Sequence, residues 1–295
     1  MQRFLDPAVL AGISSLDLLA KTVVDGFVAG LHRSPDFGFS QEFAEYRAYV
    51  PGDDLRHVDW NLFARTERCY LKRYRGETNS QVTVLLDASN SMRYTSGPPS
   101  KMDYARFVAA SILYLVIHNQ RDAAGLIVFD DEVREYIRPS RRQGQLSRLF
   151  AGLENAEPRA RTDFGRPLEH FQALLHRRGI AIVISDFYED PETIVRTIEP
   201  LRFHGNDVVL FHILDPQEIC PEMKGPSILI DLETGKEIEV IPEYTKTTYR
   251  AKMHAHIEQL RSRMRAAGMD YHLLVTNQPL DAALREYLSL RQGGN

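Results

Sequence analysis

Residues 82–91 read Val82-Thr83-Val84-Leu85-Leu86-Asp87-Ala88-Ser89-Asn90-Ser91. The apolar, β-branched run predicts a buried strand ending in an aspartate, with two serines at alternate positions beyond it. Extended backbone has a side-chain period of two, so Asp87, Ser89 and Ser91 can converge on one point. One carboxylate and two hydroxyls form a hard-oxygen set that suits magnesium better than zinc.

Outward from this stretch, strands and helices alternate. Asp103–His118 predicts an apolar helix, Ala124–Asp130 a strand, and Val133–Arg138 its antiparallel neighbour. Gln145–Leu153 and Phe164–Arg177 predict helices, Ile180–Asp186 a strand, Pro191–Phe203 a helix and Val208–Leu214 a strand. A last strand, Met269–Val275, precedes a last helix, Leu280–Leu290. This order predicts an α/β fold with a mostly parallel sheet and helices on both faces. Ser227–Leu232 and Glu237–Ile241 flank Glu233-Thr234-Gly235-Lys236 and read as a β-hairpin insertion at about 227–241; a long helix follows from about Thr247 to Ala267.

The N-terminal part differs. Leu10, Ile13, Leu16, Leu19, Val23 and Phe27 recur at helical spacing and predict an amphipathic helix over residues 6–32. Residues 33–80 are rich in charge and aromatics, with a turn signal at Pro51-Gly52-Asp53-Asp54 and a candidate strand at Tyr70–Tyr74. The chain is therefore divided into an N-terminal segment, 1–80, and a main α/β domain, 81–295.

Composition narrows the function classes. With 36 basic and 40 acidic residues the net charge is -4, which offers no dominant surface for nucleic acid or anionic membranes. Six basic residues lie between Arg56 and Arg75, but Asp59 and Glu67 interleave them. Cys69 and Cys220 are the only cysteines, too few for a disulfide framework, and fit a reducing compartment. The N-terminus carries no signal-peptide pattern, and the longest apolar stretch, Ala109 to Ile117, is too short to span a bilayer. The expectation is a soluble cytoplasmic protein. No Gly-x-x-x-x-Gly-Lys-Ser/Thr run exists, so no P-loop nucleotide site is expected. His254 and His256 lie two apart on a predicted helix and diverge rather than chelate.

In an open α/β sheet, ligands bind beyond the carboxyl ends of the strands. Three segments can meet there: Asp87–Ser91, Thr162-Asp163-Phe164-Gly165, and Ser185-Asp186-Phe187. Two aspartates balance a divalent cation, and hydroxyls and water complete its shell. The bland alternative is a hydrogen-bonded cluster at the strand ends, since Asp and Ser are common turn and cap residues. Asp163 reads as the cap of the helix that follows it.

Asp87-x-Ser89-x-Ser91 after a first strand, a later Thr162, and Asp186 after a later strand resemble the metal-ion-dependent adhesion site of von Willebrand factor A domains. The resemblance implies a magnesium or manganese site on Asp87, Ser89, Ser91, Thr162 and Asp186. A second resemblance covers residues 32–79. His32-Arg33-Ser34, Glu42-Phe43-Ala44-Glu45-Tyr46-Arg47, Pro51-Gly52-Asp53-Asp54-Leu55-Arg56-His57-Val58-Asp59-Trp60 and Ala64-Arg65-Thr66 resemble the signature of a bacterial domain-of-unknown-function family. Genes of that family usually lie beside those of MoxR-type AAA+ ATPases, and many members carry two N-terminal transmembrane helices; this sequence resembles the soluble form and is expected to behave as one. The resemblance implies a non-enzymatic adaptor that works with a MoxR-type ATPase on a client protein. Arg47, Gly52, Asp53, Asp54, Arg56, Asp59, Trp60 and Arg65 are then candidate docking residues, or else a turn and salt-bridge network.

An enzyme reading stands against this. A strand ending in Asp, with Asp186 and Asp190 after a later strand, also suggests a haloacid-dehalogenase-type phosphatase with Asp87 as nucleophile. Such a site needs a second Asp two residues on, as general acid. Ser89 stands there, and a serine does not donate a proton as a carboxylic acid does.

Overall fold

The computed structural model describes residues 6–31, 43–50, 58, 62–63, 65, 69–74, 81–159, 171, 174, 178–203, 205–223, 225–230 and 237–293. Its strands are β1 (Phe43–Ala48), β2 (Tyr70–Tyr74), β3 (Gln81–Asp87), β4 (Ala123–Phe129), β5 (Val133–Ser140), β6 (Ile180–Ser185), β7 (Asp207–Leu214), β8 (Ser227–Ile230), β9 (Glu237–Val240) and β10 (Asp270–Val275). Two compact units emerge: Met1–Gly26 with Ser80–Asn295, and Phe27–Asn79.

Six strands form one sheet in the order β10-β7-β6-β3-β4-β5. All neighbours are parallel except β4 and β5, which pair antiparallel. β3, β4 and β6 are buried almost end to end, as expected of parallel strands covered on both faces. The chain runs from β3 out to β4 and β5, then returns to place β6, β7 and β10 on the other side. The order reverses between β3 and β6, and the crevice at their carboxyl ends is where such sheets bind ligands. This is the mostly parallel α/β sheet that the sequence predicts.

Helices cover both faces. On one, Leu85, Phe129, Val183 and Leu210 pack with Ile194, Ile198, Leu260 and Met264. The other carries Lys101–Tyr114, which meets β3, β6 and β7 and lies beside the helices Gln145–Asn155 and Asp281–Gly293. It is covered on nearly all sides, which is why its sequence is apolar without a polar stripe.

Several elements differ from expectation. The helix over 6–32 is two: Pro7–Leu10, capped by the Asp6 carboxylate, and Leu16–Leu31, begun where the Ser15 hydroxyl accepts the Leu18 N–H. Leu10, Leu16, Leu19 and Val23 are buried all the same. The helix over 191–203 breaks into Pro191–Ile198 and Pro200–Phe203, because Pro200 has no N–H to continue the ladder. The long helix starts early, with Pro242–Tyr244 and a wide turn at Thr245–Tyr249 leading into Arg250–Ala266. β1 was not foreseen. It pairs antiparallel with β2, and a bulge between Phe43 and Glu45 spoils the alternation that marks a strand. β8 and β9 form the expected hairpin; its turn, Glu233–Lys236, lies outside the described residues. So does most of the helix expected over Phe164–Arg177, of which Phe171 and Leu174 are helical. Among the described residues no helix is long and apolar enough to cross a membrane.

Candidate functional site

β3 delivers Asp87 to the crevice with no exposed surface. Asp87 Oδ1 accepts the Ser89 N–H at 2.8 Å, and Oδ2 accepts the Ser185 hydroxyl at 2.6 Å. Each oxygen keeps a further lone pair. The backbone then turns through Asn90–Arg93, with Ser89 at the cap position. That turn brings the Ser89 and Ser91 hydroxyls within 3.0 Å of each other. From β6, Ser185 braces Asp87 and also accepts the Phe187 N–H at 3.1 Å. Asp186 follows, almost fully buried. Phe187 adopts φ 45°, a left-handed conformation rare for a bulky residue, at the sharp turn that carries Asp186 into the crevice.

Hydrogen bonds link Asp87 to Ser89 and Ser89 to Ser91 at the end of β3, and Asp186 acts on Asp87 from the end of β6. Thr162 and Asp163 lie outside the described residues. Burial, and then the negative charge of Asp186, push the Asp87 carboxyl up to about 7.

Sequence reasoning missed two charged members. Lys101 is fully buried, and its Nζ donates to Asp186 Oδ2 at 2.7 Å and to Glu218 Oε1 at 2.6 Å. Burial pulls the ammonium down, but the two carboxylates outweigh it and hold it above the usual lysine range. Glu218 sits on the short helix Pro216–Ile219 after β7 and is pushed up by burial against the pull of Lys101. Neither spacing nor composition marks Lys101; the one clue is a lone lysine opening an apolar helix. Asp215, at the end of β7, accepts the Ser96 N–H at 2.9 Å and the Ser96 hydroxyl at 2.5 Å, tying the loop before Lys101 to the sheet edge. Asp130, at the end of β4, is occupied by Arg134 at 2.7 Å.

The donors fit a hard divalent cation. Asp87, Asp186 and Glu218 against Lys101 leave a formal charge of two negatives in a buried site. Carboxylates and hydroxyls would supply the ligating atoms; among the described residues no cluster of three or more His, Cys, Asp or Glu is placed to hold a metal, so a cation there would rest on the two aspartates with hydroxyls and water. Asp190 is exposed, and its carboxylate caps the helix Pro191–Ile198 by accepting the Glu192 and Thr193 N–H groups. A capping role accounts for it without phosphoryl chemistry.

Behind Asp186, His212 is buried, with Nδ1 2.6 Å from the Tyr271 hydroxyl. His256 Nε2 donates to the Phe187 carbonyl at 2.8 Å, so that nitrogen carries the proton. Burial, then His256, drive His212 down to about 3. The unfolded chain takes up this proton near pH 6.5 and the folded chain does not until about 3. Stability from this group is complete above the higher value and lost as pH falls through the window. Between pH 7 and pH 5 the loss is expected to be about 2 kcal/mol. Urea unfolding of His212→Gln at the two pH values should show a correspondingly flatter dependence than wild type; equal slopes would remove His212 as the cause.

Of the candidate docking residues, Arg47 lies on β1 and Arg65 is exposed in a helical turn. Gly52, Asp53, Asp54, Arg56, Asp59 and Trp60 lie outside the described residues. Cys69 and Cys220 are free.

A family model described as "Protein of unknown function DUF58" matches residues 45–263. Uncharacterized protein Rv1480 of Mycobacterium tuberculosis and uncharacterized protein Mb1516 of Mycobacterium bovis are each 26% identical over 295 residues, covering 98% of this chain and 92% of theirs. Among solved structures, an aerotolerance-related membrane protein from Bacteroides fragilis is 16% identical with a TM-score of 0.50, covering 71% of this chain and 97% of that one. BatB from Bacteroides thetaiotaomicron is 17% identical with a TM-score of 0.49, over 72% of this chain and 98% of that one. A von Willebrand factor type A protein from Catenulispora acidiphila is 12% identical with a TM-score of 0.45, over 72% and 41%.

Proposed function

Since the chain belongs to the DUF58 family, we propose that it is a non-enzymatic protein-interaction module with a divalent cation site, acting as adaptor to a MoxR-type AAA+ ATPase on a client protein. The carrying observation is the crevice between β3 and β6, where Asp87, Ser89, Ser91 and Asp186 meet with excess negative charge. Those four and Thr162 would hold magnesium or manganese. The cation, when bound, supplies an electrophilic position that a partner's carboxylate can fill. The chain's own part is to fix the donors. Ser185 orients Asp87, and the turn after Ser89 aims both hydroxyls at one point. The ATPase partnership draws support from the signature over residues 32–79, and a cytoplasmic setting follows from it.

Magnesium or manganese at one hundred times its dissociation constant should stabilise the wild type by about 2.7 kcal/mol, a rise of roughly 5 °C in melting temperature. Asp87→Ala and Asp186→Ala should show no rise. Equal shifts in all three would sink the cation assignment. Retention of the ATPase in a pull-down should weaken in EDTA; unchanged retention would separate the partner from the cation.

The phosphatase alternative has Asp87 as a buried nucleophile but Ser89 in the acid's place, and Asp190 spent on a cap. Hydrolysis of a generic phosphate ester, lost in Asp87→Asn, would restore it.

A further inference from the structure

Lys101 opens the helix Lys101–Tyr114, so its ammonium faces the positive end of the helix dipole and is also removed from water. A lysine in that position needs strong compensation, and the structure supplies it from four directions. Asp186 and Glu218 accept at 2.7 and 2.6 Å, and the rings of Tyr188 and Tyr94 lie 4.9 and 5.8 Å from Nζ. This is a built ammonium site, with Asp186 as one wall. The same carboxylate is a candidate cation ligand.

We propose that Lys101 governs cation affinity: its ammonium is a tethered counter-charge that competes with the divalent cation for Asp186, and Glu218 offsets part of that competition. The inference rests on the cation-site reading above. A purely structural lysine would hold Asp186 in place, and its loss would weaken binding. A competing lysine predicts the opposite sign. With Lys101→Met the formal charge of the four groups becomes three negatives, and with Glu218→Gln it becomes one. At these separations a unit charge in a partly shielded interior changes cation affinity by at least about tenfold.

The test is isothermal titration of the full chain with manganese chloride. Lys101→Met should bind at least about tenfold tighter than wild type, and Glu218→Gln about tenfold weaker. Lys101→Met leaves two buried carboxylates without their cation and can fail to fold. The double variant Lys101→Met/Glu218→Gln removes both partners together, so its comparison with Glu218→Gln isolates the lysine. The double variant should bind at least about tenfold tighter than Glu218→Gln; equal or weaker binding overturns the proposal. Manganese binding by the lysine-free variants with none by wild type would support it and overturn only the reading that the wild type loads a cation. No binding by any form would overturn both.

Discussion

Asp87→Asn is expected to stabilise the chelator-treated chain at pH 8 by roughly 2–4 kcal/mol and to abolish its response to magnesium. Asp87 is buried beside Asp186, and its carboxyl is pushed up to about 7, chiefly by burial. The folded value lies above the unfolded one, so the group's favourable contribution is complete below about pH 4 and lost as pH rises through 7. At pH 8 the cation-free protein holds a carboxylate it would rather protonate. Asparagine keeps the shape, removes the charge, and leaves the Ser185 hydroxyl free to rotate toward whichever amide atom faces it. Urea unfolding in EDTA at pH 8 measures the gain, and the same titration in magnesium measures the lost response. A variant less stable than wild type in EDTA would show that the carboxylate is well compensated without a cation. Over pH 4 to 6.5 the slope from Asp87 opposes that from His212, so the single variants expose what the wild-type curve partly hides.

Gly179→Ala is expected to cost at least about 3 kcal/mol and to lower the melting temperature by roughly 6 °C. A Cβ on Gly179 would stand 2.2 Å from the Gln81 carbonyl oxygen. That contact is backbone, so no rotamer relieves it. Gly179 leads into β6 and Gln81 begins β3, so the entry to the two central strands would have to part. The Gly179 carbonyl also accepts the Asp207 N–H at 2.9 Å, which carries the disturbance to β7. Thermal unfolding followed by circular dichroism measures the effect; a change under 1 kcal/mol would mean that the strands separate there at little cost.

The central strands were legible because burial on both faces leaves nothing but apolar residues between their ends, as in Ile180-Ala181-Ile182-Val183-Ile184. The Asp-x-Ser-x-Ser residues were legible, but not the reason they meet: the strand ends at Asp87, and the helical turn over Asn90–Arg93, not an extended period of two, brings the Ser89 and Ser91 hydroxyls together. Lys101 was not legible, because its partners Asp186 and Glu218 are 85 and 117 residues away and no local pattern records a contact across the sheet edge. Ser185 was read as a strand end; its brace on Asp87 depends on the register of β3 with β6. β1 was hidden by its bulge, and the break at Gly12–Ser15 by a hydrophobic spacing that stays in phase across it.

The brace between Ser185 and Asp87 spans 98 residues. No shorter piece of chain contains both ends, so the site is absent from any nascent chain until β6 has emerged and paired. Closing a loop of that length is slow relative to local helix formation. A cation held there would reward only the finished sheet. It would stabilise the end of folding without trapping an earlier stage, because a chain truncated before Ser185 lacks the brace that fixes Asp87.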